Sequence, residues 1–196
     1  MKLTLQHLSR RFRGGNDELE KPINSLLHQV DTLSDIASSF SSFAKLPIPE
    51  HERFEITSIL KNTVQLFKSS GNARISLEIP DQPVFSMGDE KLMGRILSNI
   101  VLNAIQSYNN DKPRVDIALH VLKKDRALIE IRDYGRGIDP VIHGKIFIPN
   151  FTTKESGSGI GLAVAKHGVE HAGGKIWFET NEGEGTSFFI ELPVVE

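Results

Sequence analysis

Asn99 and Asn103 stand four residues apart in a stretch whose apolar residues repeat at helical spacing, so both fall on one side of a helix. A helical wheel sets them at the edge of the apolar stripe, beside Leu92 and Ile96. Amides at such a border need partners or water. An amide oxygen is a hard ligand suited to Mg²⁺, which keeps several waters and takes few protein ligands. The alternative is a pair of solvated polar residues. Asp133 ends the run Ala127, Ile129, Ile131, Asp133, where a period of two puts the carboxylate on the apolar face. A buried carboxylate needs donors. An adenine amino group is one such donor; a turn that the aspartate caps itself is the other reading. Gly135 and Gly137 follow, and glycine lets a ligand approach the backbone closely.

A second glycine-rich stretch, Gly157-Ser158-Gly159-Ile160-Gly161-Leu162, opens a helix. Free N–H groups at a helix start bind phosphate. No Gly-Lys-Ser/Thr closes this stretch, so it is not a P-loop. Its spacing and the long loop before it also exclude the dinucleotide fingerprint. The bland reading is a flexible turn. Between the glycine stretches lies a loop from Tyr134 to Ser158, too long for a plain connector. Its segment Ile146-Phe147-Ile148-Pro149-Asn150-Phe151-Thr152-Thr153-Lys154 has the apolar anchors of a lid. Lys154 is in reach of a terminal phosphate, unless it is a solvated surface lysine.

The elements that must position these residues divide near Pro47-Ile48-Pro49. Residues 1–47 read as a helical hairpin. Ile23, Leu26, Val30, Leu33, Ala37, Phe40 and Ala44 repeat at alternating spacings of 3 and 4, the heptad seam of helices that meet in a bundle. Such a hairpin buries little by itself, so a second copy is its natural partner. Residues 48–196 alternate strands and helices. Strands are expected over Ile75 to Ile79, Val84 to Ser86, Val115 to Val121 and Ala127 to Asp133, then Lys175 to Thr180 and Thr186 to Leu192. Helices are expected from Asp89 or Glu90 to Tyr108, with Tyr108 on the buried side, and from Ile160 to His171, ended by Gly173-Gly174. Hairpins dominate, so the expected class is α+β: two layers, a mixed or antiparallel sheet with helices on one face.

Net charge is -2, which leaves no basic field for nucleic acid or an anionic membrane. The chain has no cysteine, so disulfides and thiolate metal sites are excluded. No apolar run reaches the roughly 18 residues of a membrane helix, and residues 1–15 lack a secretory signal. The expected location is the cytoplasm; a longer parent is free to carry an anchor in the inner membrane.

Taken in order, the asparagine helix, Asp-x-Gly-x-Gly, the Phe-rich loop, Gly-x-Gly-x-Gly and Gly185-Thr186 resemble the Bergerat-type ATP-binding domain. Histidine kinases, DNA gyrase, a heat-shock chaperone and mismatch-repair ATPases share that domain. The resemblance covers Phe54 to Pro193. It implies ATP and Mg²⁺ as cofactors, with Asn103 on the metal and Asp133 on the adenine amino group. It further implies that Asn99, Gly135, Gly137, Lys154 and the segment Gly157 to Leu162 face the nucleotide, with Thr186 near the adenine. Hydrolytic members carry a glutamate where Asn99 stands, and an amide cannot take a proton from water. The Ile146–Lys154 loop, Asn103-Ala104-Ile105-Gln106 and Ser42 to Pro47 are similar to nitrogen-regulation sensor kinases.

The resemblance thus implies a two-component protein-histidine kinase with a response-regulator receiver domain as partner and a homodimer formed through the hairpin. One departure is plain: no histidine stands in a His-Glu-x-x-Asn-Pro-Leu box. His51-Glu52 comes closest, but Arg53-Phe54-Glu55 follows it, and neither His7 nor His28 has the context. The chain is therefore expected to begin just past the acceptor and not to autophosphorylate alone. The alternatives are an ATP-driven conformational ATPase of the gyrase or mismatch-repair class and an adaptor with a dead nucleotide site.

Overall fold

Two units make up the chain, Met1–Leu46 and Pro47–Glu196. The computed structural model describes residues 50–196 other than 70, 72, 109–111, 124, 155 and 156, and residues 25, 26 and 29 of the first unit. The hairpin expected over residues 1–47 thus lies outside the described residues, save that Ser25, Leu26 and Gln29 are helical and exposed.

The second unit begins with strand β1 (Glu52–Glu55) and helix α1 (Ile56–Ser69), followed by β2 (Arg74–Glu78) and β3 (Phe85–Gly88). Next come α2 (Glu90–Ile105), the hairpin β4 (Arg114–Leu122) and β5 (Arg126–Asp133), and a 3₁₀ helix (Pro140–Lys145). It closes with α3 (Gly161–His171), β6 (Lys175–Asn181) and β7 (Gly185–Pro193). The main sheet has five strands in the order β2-β4-β5-β7-β6, and β1 pairs with β3 in a separate two-stranded sheet. Only the β2–β4 pair is parallel; β4–β5, β5–β7 and β6–β7 are antiparallel. The sheet is therefore mixed, as expected.

Alternation builds the layers. Along β4, Val115, Ile117 and Leu119 are buried, and along β5 Ala127, Ile129, Ile131 and Asp133. The helices pack side by side, α1 on α2 and α2 on α3. Helix α2 contributes Met93, Ile96, Leu97, Ile100, Val101 and Ala104 to the core. Each large aliphatic side chain so buried stabilises by about 1.5–3 kcal/mol. Asp89 caps α2, its side chain accepting from Leu92 N at 2.8 Å. Gly173, at φ +72°, ends α3, and Gly174 N donates back to Val169 O at 2.9 Å.

Two expectations need correction. Helix α2 stops at Ile105, so Tyr108 lies beyond it and is only partly buried. Past Ile105, Ser107 N reaches Ala104 O at 3.4 Å, a tightened last turn of the i to i−3 kind. The strand expected over Val84 to Ser86 runs Phe85–Gly88, set by its pairing with β1. Within the long loop lies the 3₁₀ helix.

Candidate nucleotide-binding site

Helix α2, the segment after β5, the Ile146–Lys154 loop and the start of α3 enclose a cavity of about 600 Å³. That lies within the range of about 300–1,000 Å³ of small-molecule sites. Its apolar wall is Ile138, Ile142, Ile146, Phe151, Leu162 and Phe188. Its polar lining includes Asn99, Asn103, Asp133, Arg136, Lys154 and Thr186.

Asp133 is 3% exposed. Its Oδ1 accepts from the Ser107 hydroxyl and from Gly135 N, each at 2.9 Å. It is thus both buried and the cap of its own turn. Burial pushes its pKa up, against hydrogen bonds from Gly135, Ser107 and the Thr186 backbone that favour the charged form. Gly135 is required by close approach: a Cβ there would lie 2.0 Å from Ser107 Oγ. Thr186 is buried beside Thr180, whose hydroxyl lies 3.0 Å from its own. The same Thr180 hydroxyl accepts from Ile138 N at 3.0 Å, which ties the segment after β5 to β6.

On α2, Asn99 and Asn103 both face the cavity. Asn103 Oδ1 accepts from Lys154 Nζ at 2.7 Å, and Gln106 Oε1 accepts from the same ammonium at 2.7 Å. Lys154 is thus partly buried and held by two amide oxygens, and is not a free surface lysine. Burial and the nearby charge of Arg136 lower its pKa. Asn99 Nδ2 is a buried donor with no partner. A Cβ on Gly161 would lie 2.2 Å from that nitrogen, so glycine at 161 is what lets the Asn99 amide lie against the start of α3. Ile160 caps α3 without any side-chain hydrogen bond, and no acidic residue stands in the first turn. The α3 start therefore presents unoccupied N–H groups and positive partial charge.

The loop before α3 is fastened to it. Asn150, at φ +66°, donates its N–H to Gly159 O at 3.0 Å. Gly157, Ser158, Gly159, Gly161 and Leu162 line the cavity, whereas Ile160 and Gly135 do not. Gln106, Ser107 and Arg136 line it too, without having been singled out as site residues by their types. Gln106 has a signal, since it lies one helical turn past Asn103. Ser107 has none, because its role depends on β5.

The donor set fits a nucleoside polyphosphate with a divalent cation. A buried acceptor suits an exocyclic amine. Lys154, Arg136, the lone Asn99 donor and the α3 start suit phosphate. The Asn103 oxygen already faces a cation, the lysine ammonium. Among the described residues no three His, Asp or Glu side chains gather to hold a metal. A Mg²⁺ here would thus take one amide oxygen and complete its shell with phosphate and water, as Mg²⁺ commonly does. No helix among the described residues is long and apolar enough to cross a membrane.

Residues 88–196 match the family described as histidine kinase-, DNA gyrase B-, and HSP90-like ATPase. Sporulation kinase E of Bacillus subtilis (strain 168) is 28% identical over 87% of this chain. The chain spans 23% of the length of that protein and 38% of sporulation kinase D of the same organism. Among solved structures, the mycobacterial sensor histidine kinase MprB superposes with a TM-score of 0.65 at 26% identity, over 74% of this chain and 97% of that one. ThkA, solved in complex with the response regulator protein TrrA, shares the fold at a TM-score of 0.67 and 23% identity, over 98% of this chain and 57% of its own. With the matched residues spanning more than half of the chain and holding most of the cavity, this protein belongs to the histidine kinase-, DNA gyrase B- and HSP90-like ATPase family and carries the ATP-binding catalytic domain of sensor histidine kinases.

Proposed function

We propose that the domain transfers the γ-phosphate of ATP to a histidine outside this chain, for relay to a response regulator. The observation that supports the reading is the meeting, on one cavity, of a buried carboxylate with a cationic, donor-rich phosphate side. Asp133 accepts the adenine amino group and fixes the base, with Thr186 beside it. Backbone N–H groups of Gly159, Gly161 and Leu162 hold phosphate oxygens, together with the Asn99 amide. Lys154 exchanges the Asn103 and Gln106 oxygens for the terminal phosphate. Asn103 is then free to hold Mg²⁺, which when bound supplies neutralisation of phosphate charge. The loop over residues 146–154 keeps water out. Asn99 has no basic lone pair to activate water, which favours transfer over hydrolysis.

Relay to a receiver domain accords with a neighbour in fold, ThkA, having been solved with its response regulator. The Ile146–Lys154 loop and Gln106 favour the nitrogen-regulation group of sensor kinases. Residues 1–47 serve as part of a dimerising hairpin, and the domain works in the cytoplasm.

Calorimetric titration with ATP, with and without Mg²⁺, on this chain and on Asn103→Ala tests the reading. The expected result is saturable binding that Mg²⁺ strengthens in the parent and not in the variant. Adding a separate acceptor hairpin should then yield phosphohistidine. No binding by the parent chain, or steady hydrolysis without transfer, overturns the proposal.

A further inference from the structure

The end of α2 and the turn after β5 are clasped by successive contacts. The Ser107 hydroxyl meets Asp133 Oδ1 at 2.9 Å, and Ser107 O accepts from Arg136 N at 3.4 Å. Tyr108 Oη accepts from Tyr134 N and donates to Arg114 O, both at 2.9 Å. Within this clasp the Asp133 carboxylate is not symmetric. Oδ1 takes the Ser107 hydroxyl and Gly135 N, which occupies both of its lone pairs. With the Thr186 backbone as a third donor to the carboxylate, the acceptor capacity left for a ligand rests on Oδ2. Gly135 N alone would leave the carboxylate freer to rotate about its terminal bond, a broad torsion. The second donor, from another element, fixes which oxygen is spent. A serine hydroxyl has one proton, and Ala104 O at 2.8 Å competes for it. An ionised carboxylate wins that competition, because charge-assisted hydrogen bonds are roughly twice as strong.

We propose that Ser107 is a positioning residue for nucleotide choice: by saturating Asp133 Oδ1 it turns Oδ2 to the base and sets the preference for a purine that bears an exocyclic amine at C6. The proposal rests on the reading of Asp133 as the adenine-binding group. A 6-oxo purine sets a carbonyl oxygen against the same carboxylate, and an unsubstituted purine leaves it unpaired. Buried groups left unpaired in this way are what give polar sites their discrimination.

The test compares ATP with purine riboside triphosphate, which lacks only the amine, on the parent chain, Ser107→Ala and Ser107→Thr. The parent should favour ATP by about tenfold or more, the scale of a hydrogen bond to a charged group. In Ser107→Ala the ATP affinity should fall about tenfold while the analogue stays within about twofold, and Ser107→Thr should restore the ratio. Ser107→Ala should also move the acid limb of the ratio to higher pH, because a donor to the charged carboxylate is gone. Equal weakening of both nucleotides, or an unchanged ratio, overturns the role of Ser107 while Asp133 keeps its own. A parent chain that does not distinguish the two nucleotides overturns the adenine reading of Asp133, and this proposal with it.

Discussion

The Lys154 ammonium donates to Asn103 Oδ1 at 2.7 Å, from a loop 51 residues away in sequence. The amide oxygen that faces the cavity is therefore already engaged by a cation. A Mg²⁺ ion sits at about 2.0–2.1 Å from its ligands, and an oxygen cannot hold both in the same direction. On the proposed role of Asn103 as metal ligand, loading of a metal nucleotide is expected to displace Lys154, to which a terminal phosphate offers a better partner than two neutral amides.

Lys154→Met should therefore act on nucleotides by phosphate number. ATP affinity is expected to fall about tenfold, the loss of one charge-assisted contact, with AMP within about twofold. Calorimetry with ATP, ADP and AMP reads the gradient. An equal loss for AMP would make Lys154 a strut between the loop and α2 instead.

Asp133 gives a pH signature. Burial raises its pKa in the folded chain above the unfolded value of about 3.9. Folding then binds the proton more tightly. Its contribution to stability is full below the unfolded pKa and is lost as pH rises through the folded one. At neutral pH the buried ionised carboxylate is a net cost. Asp133→Asn is expected to unfold at higher urea than the parent at pH 7, and the gap should close toward pH 4. ATP affinity in the same variant should drop about tenfold or more, because the amide sets a donor where an acceptor is needed. Urea titrations across pH decide the first point; a variant that unfolds at lower urea than the parent at pH 7, with the deficit shrinking toward acid, would mean that the donors from Gly135, Ser107 and Thr186 outweigh burial.

What the sequence makes legible here is what repeats locally. A period of two carries Asp133 to the inner face of β5, and glycine spacing marks the close approaches at Gly135, Gly137 and Gly161. Helix α1 is not named among the expected elements, although Ile56, Ile59, Leu60 and Val64 repeat at helical spacing and are buried. Strand β1 has four residues and only Phe54 buried, so no alternation exists to detect, and its pairing to β3 joins residue 52 with residue 88. The Lys154–Gln106 and Ser107–Asp133 contacts join residues 48 and 26 apart, by loops whose course no periodicity fixes.

The β2–β4 side of the sheet offers a smaller test. Asp116 on β4 is in part buried, which by itself raises its pKa. Hydrogen bonds from Arg114, Ser76 and Tyr134 more than offset this and lower it to about 2. A depressed carboxylate stabilises above its unfolded pKa, and that stability is lost as pH falls toward 2. Asp116→Asn should therefore destabilise at pH 7 by less than about 1 kcal/mol, since the group is largely screened by solvent, and by nothing near pH 2. Thermal unfolding at the two pH values measures it.

Gly161→Ala separates the needs of the fold from those of the site. An alanine Cβ would meet Asn99 Nδ2 at 2.2 Å, which is too close, but the obstacle is the end of a flexible side chain and not backbone. Gly161 also opens α3 without a positive φ, so alanine is allowed there and gains up to about 1 kcal/mol of helix propensity. Asn99 can swing aside at modest cost, and the two terms nearly cancel. Unfolding temperature is therefore expected to change little or to rise. The displaced Asn99 amide and the added methyl both intrude where phosphate would lie against the α3 start, so ATP affinity should fall by about tenfold or more. A variant that loses stability and binding together would mean that the α2–α3 contact at this point is packed too tightly for Asn99 to yield. One that keeps both would place the phosphates away from the start of α3.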